Sequence, residues 1–152
     1  MEDNGRRAHR GTLDMKPSIL KRQLTKGIQR WRDRLWLNQW KIEPHFEDEV
    51  ERGETGAFRV AARAECDSEY RQADVTIALK VNADRSEEVK NRTLCHEMVH
   101  VRNSPVDHFV KVLLGELPPG KRAAYLNWWV NVDEGLTEDW CNILLDAYKE
   151  LK

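Results

Sequence analysis

Two histidines four residues apart, His96 and His100, constrain this chain more than any other feature of its sequence. They lie in the stretch TLCHEMVHVRN, residues 93–103, and Glu97 directly follows the first of them. On an α-helix, residues four apart differ by about 40° around the axis and by roughly 6 Å along it. The two imidazoles would therefore project side by side and bind one metal ion together. Glu97 would stand at the border of that face, where a general base can reach a metal-bound water.

A third ligand is required, because a catalytic zinc ion takes three protein groups and keeps one position open. His108, eight residues after His100, lacks the glycine that usually lets a third histidine turn towards the metal. The later stretch NVDEGLTEDW, residues 131–140, places Glu134 and Glu138 one helical turn apart on a face that we expect to point inward. Carboxylates on such a face are costly to bury unless they are paired or bind a metal. The pattern therefore favours Glu134 as the third ligand.

Together, HEMVH and DEGLTED resemble the paired motifs of gluzincin-type zinc metallopeptidases in their minimal single-domain forms, which include small phage- or prophage-type proteins. The resemblance implies a Zn2+ cofactor, with ligands His96, His100 and Glu134. It implies that Glu97 is the general base and that Glu138 orients His96, fixing its tautomer. Asp is commoner than Glu in that family at the position of Glu138.

The resemblance also implies hydrolysis of a peptide or protein substrate. Zinc lowers the pKa of a bound water towards ~7, Glu97 takes its proton and later returns it to the leaving amine. Such sites often add a second oxyanion donor, and the candidates here are Tyr125, His108 and Arg102. The sequence does not choose among them, and each also fits packing or surface charge.

A strand precedes the metal-site helix, and the resemblance gives this strand a role as well. In such enzymes that strand tends to be an exposed sheet edge, which pairs with an extended peptide through main-chain hydrogen bonds. The corresponding stretch is ADVTIALKVN, and the predicted substrate edge carries Val75, Ile77 and Leu79. An ordinary internal strand is the alternative.

Periodicity predicts an α+β fold for one domain over residues 15–152, after a polar tail at 1–14 that we expect to be disordered. An amphipathic helix should begin at Pro17 and fade near Leu37. Alternating apolar residues then predict a small, three-stranded, mostly antiparallel sheet of minimal zincin-like type. Its strands would cover Trp40 and Ile42 before Pro44, then Phe58 to Cys66, then Val75 to Val81.

The second half of the chain predicts helices. The metal-site helix should run from Ser86 to about Arg102, where the sequence NSP at 103–105 is expected to stop it. A short helix over 107–114 and a long final helix over 121–148 would follow. The resulting order is helix, sheet, HExxH helix and long C-terminal helix.

Composition narrows the class of protein. Cys66, Cys95 and Cys141 are odd in number and widely spaced, which indicates reduced thiols in a cytoplasmic protein. No stretch approaches the ~20 apolar residues of a membrane span, so no membrane association is expected. Cys95 should be packed, whereas Cys141, near the Glu134 face, is a weak candidate for a fourth ligand.

Charge and aromatic content leave two alternatives. Residues 1–34 hold ten Lys/Arg against four Asp/Glu, and QRWRDRLW sets tryptophans among arginines. A catalytically silent zinc domain could therefore bind protein or nucleic acid through a basic N-terminal helix. A metal-dependent hydrolase acting on RNA is the other alternative. For the six tryptophans, packing between the first and last helices is the commoner explanation.

Overall fold

The computed structural model describes residues 16–51 and 59–149, and the expected disordered tail at 1–14 lies outside them, as does Phe58. The described part has an α+β fold. Its elements, in chain order, are α1 Pro17–Arg34, β1 Lys41–Glu47, β2 Val50–Glu51, β3 Arg59–Val60, β4 Ala62–Asp67, β5 Gln72–Ala78, α2 Leu79–Ala83, α3 Glu87–Gly115 and α4 Pro119–Lys149.

The main sheet is mixed, which corrects the expectation of a mostly antiparallel one. Its strand order is β1-β5-β4, with β1 parallel and β4 antiparallel to β5, while β2 and β3 form a separate two-stranded ribbon. Pro44 lies inside β1 rather than after it. An edge strand tolerates proline because one side of its backbone needs no ladder hydrogen bond. The alternation of apolar residues shows which face of a strand is buried, but it does not show which distant strand it pairs with.

The predicted substrate edge is also wrong, because β5 is the central strand of the sheet. Val75 and Ile77 are fully buried, and the strand ends at Ala78. Leu79 and Val81, expected to continue the strand, lie in α2. The buried side chain of Asn82 donates hydrogen bonds to the carbonyls of Ala61 and Ala78, both at 2.8 Å, and so stabilises this turn into helix.

The core forms where α1 covers one face of the sheet together with the first half of α3. The predicted stripe of α1 is buried, and its members are Leu20, Leu24, Ile28 and Trp31. Leu94, Met98 and Val101 of α3 join it. Gly27 allows the two helices to approach closely, since a Cβ atom there would collide with Leu94 Cδ1. Trp31 Nε1 also donates a 3.0 Å hydrogen bond to Asn91 Oδ1 of α3.

The helix α3 does not stop at the NSP sequence, which corrects the two-helix prediction for this region. It continues through Pro105 to Gly115. A proline inside a helix leaves the carbonyl four residues earlier without its N–H donor, here that of Val101. Ser104 Oγ donates to this carbonyl at 3.1 Å and replaces the missing bond. Ser104 is buried, so water could not easily fill this role.

The helices α3 and α4 form a long antiparallel hairpin whose outer half leaves the core. Between Ser104 of α3 and Thr137 of α4, no described residue is buried. Only Trp31 and Trp40 among the tryptophans are buried, whereas Trp36, Trp128 and Trp140 are exposed. The expected packing of all six tryptophans between the first and last helices is therefore wrong. In the described part of the chain, no helix has the length and apolar character needed to cross a bilayer.

Candidate metal centre

The two motif histidines lie together on the face of α3 that looks towards α4. His96 Nε2 and His100 Nε2 are 3.1 Å apart, and each side chain is about one-fifth exposed. The helix that carries them starts at Ser86, whose side chain accepts a hydrogen bond from the Val89 amide. The cap at Ser86 therefore fixes where the helix begins, and the helical period places the two imidazoles side by side.

Glu134 of α4 completes a triangle with the two imidazoles. Its Oε2 lies 3.4 Å from His96 Nε2, and its Oε1 lies 3.6 Å from His100 Nε2. Zinc with tetrahedral bonds of about 2.0–2.1 Å separates its ligand atoms by ~3.3 Å. The two Nε2 atoms are 3.1 Å apart, and each lies 3.4 to 3.6 Å from one of the two Glu134 oxygens, which is close to that value. The residues therefore fit a zinc ion with three protein ligands, and these three form a group able to hold a metal.

Carboxylates of α4 stand behind both imidazoles. Glu138 Oε1 is 3.2 Å from His96 Nδ1, the contact that the sequence led us to expect. Asp133 Oδ2 is 3.3 Å from His100 Nδ1, which the sequence analysis missed. The signal that could have found Asp133 is its place next to Glu134 in a stretch already rich in acids. Each contact favours a proton on Nδ1, so Nε2 is the ring nitrogen available to a metal.

Glu138 is itself held in place from α3. Arg92 Nη2 donates to Glu138 Oε2 at 2.5 Å, and Arg92 Nη1 donates to Asn142 Oδ1 at 2.9 Å. The arginine therefore spans two successive turns of α4. This fixes the side of Glu138 that faces away from His96, so that its other oxygen stays directed at the ring.

Glu97 stands beside the triangle without entering it. Its side chain is largely buried, and its Oε2 accepts a 2.8 Å hydrogen bond from the Ala64 amide of β4. Burial raises the pKa of this carboxyl above its ordinary value, and the nearby histidines only partly oppose that rise. A carboxylate with a raised pKa accepts a proton more readily, which suits a general base.

The surroundings of the two histidines raise the pKa of both rings. A hydrogen bond to Cys141, together with the charges of Glu97 and Glu134, raises the pKa of His96 to about 9. Burial lowers the pKa of His100, but the hydrogen bond to Asp133 outweighs it and the pKa is raised. The carboxylates around the rings thus create a negative environment that also favours a divalent cation.

Cys141 lies beneath the site rather than in the ligand triangle. It is fully buried with Cys95, to which it is hydrogen bonded, and this bond lowers the pKa of Cys141 to about 6. The contact of Cys141 with His96 contributes to this lowered pKa. Cys95 is packed, as expected, although it lies directly beside His96 in the chain.

A cleft of about 920 Å³ opens over the triangle between β4 and the α3–α4 hairpin. Of the three candidate oxyanion donors, His108 lines this cleft, and its Nε2 is 3.6 Å from Glu69 Oε1. Tyr125 and Arg102 are exposed and are not part of the cleft lining. The edge strand beside the cleft is β4, whose residues line it from Ala62 to Cys66.

A second group with metal-binding side chains lies on the outer surface of β1 and β5. It consists of Glu43, His45 and Asp74, and all three are exposed. His45 Nε2 is 2.9 Å from Asp74 Oδ1, and Glu43 pairs with Lys41 at 2.6 Å. A lysine against the glutamate competes with a cation, so this surface group is a weaker candidate than the site in the cleft.

Comparisons of the chain with protein-family models, with curated proteins and with solved structures found no match. A functional inference for this chain therefore begins from the geometry of its cleft. There, three candidate ligands, a buried carboxylate and the edge strand β4 lie together.

Proposed function

We propose that this chain is a zinc-dependent metallopeptidase of the minimal gluzincin type. The observation that carries the proposal is the triangle of His96, His100 and Glu134, in which the two Nε2 atoms are 3.1 Å apart and each lies 3.4 to 3.6 Å from one of the Glu134 carboxylate oxygens, close to the separations around a tetrahedral zinc ion. The carboxylates of Asp133 and Glu138 behind the rings support it, because such contacts orient metal-binding histidines. The cytoplasm is the proposed compartment, on the basis of the unpaired cysteines.

Glu97 distinguishes a hydrolytic site from a purely structural one in this proposal. When bound, zinc would supply a Lewis acid that activates water and polarises a carbonyl. Glu97, next to the triangle and with a raised pKa, accepts the proton of the attacking water. It then donates that proton to the leaving amine. A structural zinc site would have no use for an ionisable group buried at this position.

The substrate in this proposal is an extended peptide that pairs with β4. The Ala78 amide donates to the Ala61 carbonyl. Hydrogen-bonded pairs alternate along an antiparallel ladder, so the odd-numbered residues of β4 direct their backbone N–H and C=O groups to β5. The backbone groups of Ala62, Ala64 and Cys66 therefore point away from β5, towards the cleft. The Ala64 amide bonds to Glu97, and the remaining outward groups can pair with a peptide main chain.

The proposal is tested by metal analysis and by peptide hydrolysis with matched glutamate variants. Purified wild-type protein should contain about one zinc per chain, and His100→Ala and Glu134→Ala should lose it. Glu97→Gln should keep the zinc but lose at least about 100-fold in hydrolysis of a mixed peptide library, scored by new amino termini. Glu88→Gln, an exposed change on the same helix, should behave as wild type.

Two outcomes would contradict the proposal in different ways. Undiminished hydrolysis by Glu97→Gln would remove the base from the mechanism. Zinc without any hydrolysis in wild type, together with salt-sensitive binding to nucleic acid, would favour the silent zinc domain with a basic N-terminal helix.

A further inference from the structure

A second apolar stripe runs along α4 on the side turned away from the metal. Its members recur at the helical period, and each is roughly half exposed: Tyr125, Trp128, Leu136, Trp140 and Ile143, at 46% to 61%. Val132, half-buried, fills the gap between Trp128 and Leu136. The helix therefore has a second apolar face, which the rest of the described chain leaves about half exposed.

The exposed area is large for a chain of this size. Side chains of this kind present about 150–250 Å² each, so half-exposed they amount to on the order of 600 Å². The largest apolar patch of an ordinary monomer is about 300–600 Å², and a stable interface buries ~800 Å² per partner. The stripe and its polar margins together approach the area that a specific partner would bury.

Charge along α4 changes sign near its midpoint. Residues 119–132 carry Lys121 and Arg122 and no acid, whereas residues 133–149 carry five acids and one lysine. Lys121 and Asp146 lie on the same side of the helix as the apolar stripe, at opposite ends of it. A helix of this kind is complementary to a second copy of itself in the reverse direction.

The register of such a pair follows from the sequence. If two antiparallel copies of α4 cross near residue 134, Tyr125 faces Ile143 of the other copy, and Trp128 faces Trp140. Val132 then faces Leu136. Lys121 then faces residue 147 of the other copy, which is the neighbour of Asp146. Apolar residues meet apolar residues, and the charges at both ends oppose each other.

Gly135 lies midway along the stripe and at one margin of it, about 20° around the helix from Trp128 and about 80° from Tyr125. A glycine inside a helix costs roughly 1 kcal/mol relative to alanine. Among the described residues, nothing lies within 4 Å of a Cβ atom added there, so packing within the chain does not require it. A missing side chain at a crossing point lets a second helix approach closely.

We infer that two copies of this chain associate through α4, antiparallel, around a two-fold axis close to Gly135. The surface involved is the stripe from Tyr125 to Ile143, with Lys121 and Asp146 closing its ends. Glu134 and Glu138 point to the other side of α4, towards α3. The inference therefore does not depend on the proposed zinc chemistry, and the site stays open in the pair.

The test is the mass of the full chain in solution across a dilution series, by sedimentation equilibrium. Wild type should have twice the chain mass of 17.8 kDa, with or without added zinc. Trp128→Glu and Leu136→Glu should each be monomeric, because the change buries a charge in the interface. Val130→Glu is the matched control: Val130 is as exposed as Leu136 but points about 160° from Trp128, and it should remain dimeric.

A charge-reversal pair tests the direction of the two helices. Lys121→Glu and Asp146→Lys should each weaken the dimer by about tenfold, and the combined variant should recover most of that loss. Circular dichroism establishes that each variant is folded. A wild type that is monomeric at about 100 μM, far above the dissociation constants usual for interfaces of this size, would overturn the inference. So would dissociation by Val130→Glu alone, or a monomer that instead binds lipid vesicles through Trp128.

Discussion

The orientation of each imidazole depends on one carboxylate of α4. Glu138 and Asp133 each contact the Nδ1 atom of one ring, so both rings direct Nε2 into the cleft. The two contacts differ in exposure: Asp133 is largely buried, whereas Glu138 is half exposed and held by Arg92. Asp133 should therefore contribute at least as much as Glu138 to the preorganisation of the site.

Asp133→Asn should weaken zinc binding by roughly 10- to 100-fold while leaving the zinc stoichiometry at saturation unchanged. The amide has the shape of the carboxylate but not its charge, so it orients His100 poorly and makes the ring less basic. The affinity is measured by competition with a chromophoric chelator. Asp139→Asn, the same exchange at an exposed position of α4, is the control. Equal affinities in the two variants would contradict a role for Asp133.

Cys66 gives a prediction for pH. Cys66 is an exposed residue at the cleft, but partial desolvation of its sulfur by the cleft wall raises the pKa of the thiol to about 11. Since the thiolate is the reactive form, a raised pKa slows alkylation at every pH below it. Iodoacetamide at pH 8 should modify Cys66 roughly tenfold or more slowly than a small free thiol, with the rate still rising above pH 10. Peptide mass spectrometry measures this, and a rate that levels off below pH 9 would contradict it.

The residues at the site show how far the sequence could lead. The HExxH spacing and the later glutamates identified five side chains that the fold brings together, because helical periodicity depends only on local sequence. Asp133 differs from Glu134 by about 100° around α4, so its reach to His100 depends on how the two helices cross. Crossing geometry is a tertiary property. The sequence contains no local pattern for it.

Among the elements, α3 shows how one side chain changes the effect of a proline. The prediction that NSP would end the helix followed the usual behaviour of proline and overlooked the serine before it. The Ser104 hydroxyl bonds to the carbonyl that Pro105 leaves without a donor. As a result the helix continues and carries Asp107 and His108 along the cleft.

A double-mutant cycle tests this compensation. Ser104→Ala should lower the free energy of unfolding by about 1–3 kcal/mol, because it leaves a buried carbonyl without a partner. In a Pro105→Ala background the alanine amide supplies the bond to the Val101 carbonyl. The loss in free energy of unfolding caused by Ser104→Ala should then be smaller by at least about 1 kcal/mol. Urea unfolding measures all four proteins. Additive effects would mean that Ser104 and Pro105 act independently.

The pairing of the strands in the main sheet could not be predicted from the sequence. Alternation located parts of β1, β4 and β5, but not the parallel pairing of β1 with β5 that makes the sheet mixed. This pairing joins strands about thirty residues apart, and a single sequence gives no register for it. The edge strand that borders the cleft is therefore β4, and not β5 as the sequence predicted.

For the whole molecule, metal binding at the cleft should stabilise the fold, because it joins α3 to α4. Zinc at about 100 times its dissociation constant adds ~2.7 kcal/mol to the free energy of unfolding, or several degrees in Tm. His100→Gln should abolish this rise, whereas His45→Gln, at the surface group of β1 and β5, should preserve it. Thermal unfolding with zinc and with a chelator gives the comparison. A rise lost only in His45→Gln would move the site to the sheet surface.

Among the described residues, the carboxylates that contact the two imidazoles all come from six consecutive residues of one helix, α4. Asp133, Glu134 and Glu138 share a single rigid rod, so they cannot adjust one at a time. A slip of α4 by one residue would move each of them about 1.5 Å and rotate it about 100°. If the site binds zinc as proposed, metal affinity depends on how α4 is seated on α3, and a ligand or mutation that shifts this helix should weaken metal binding.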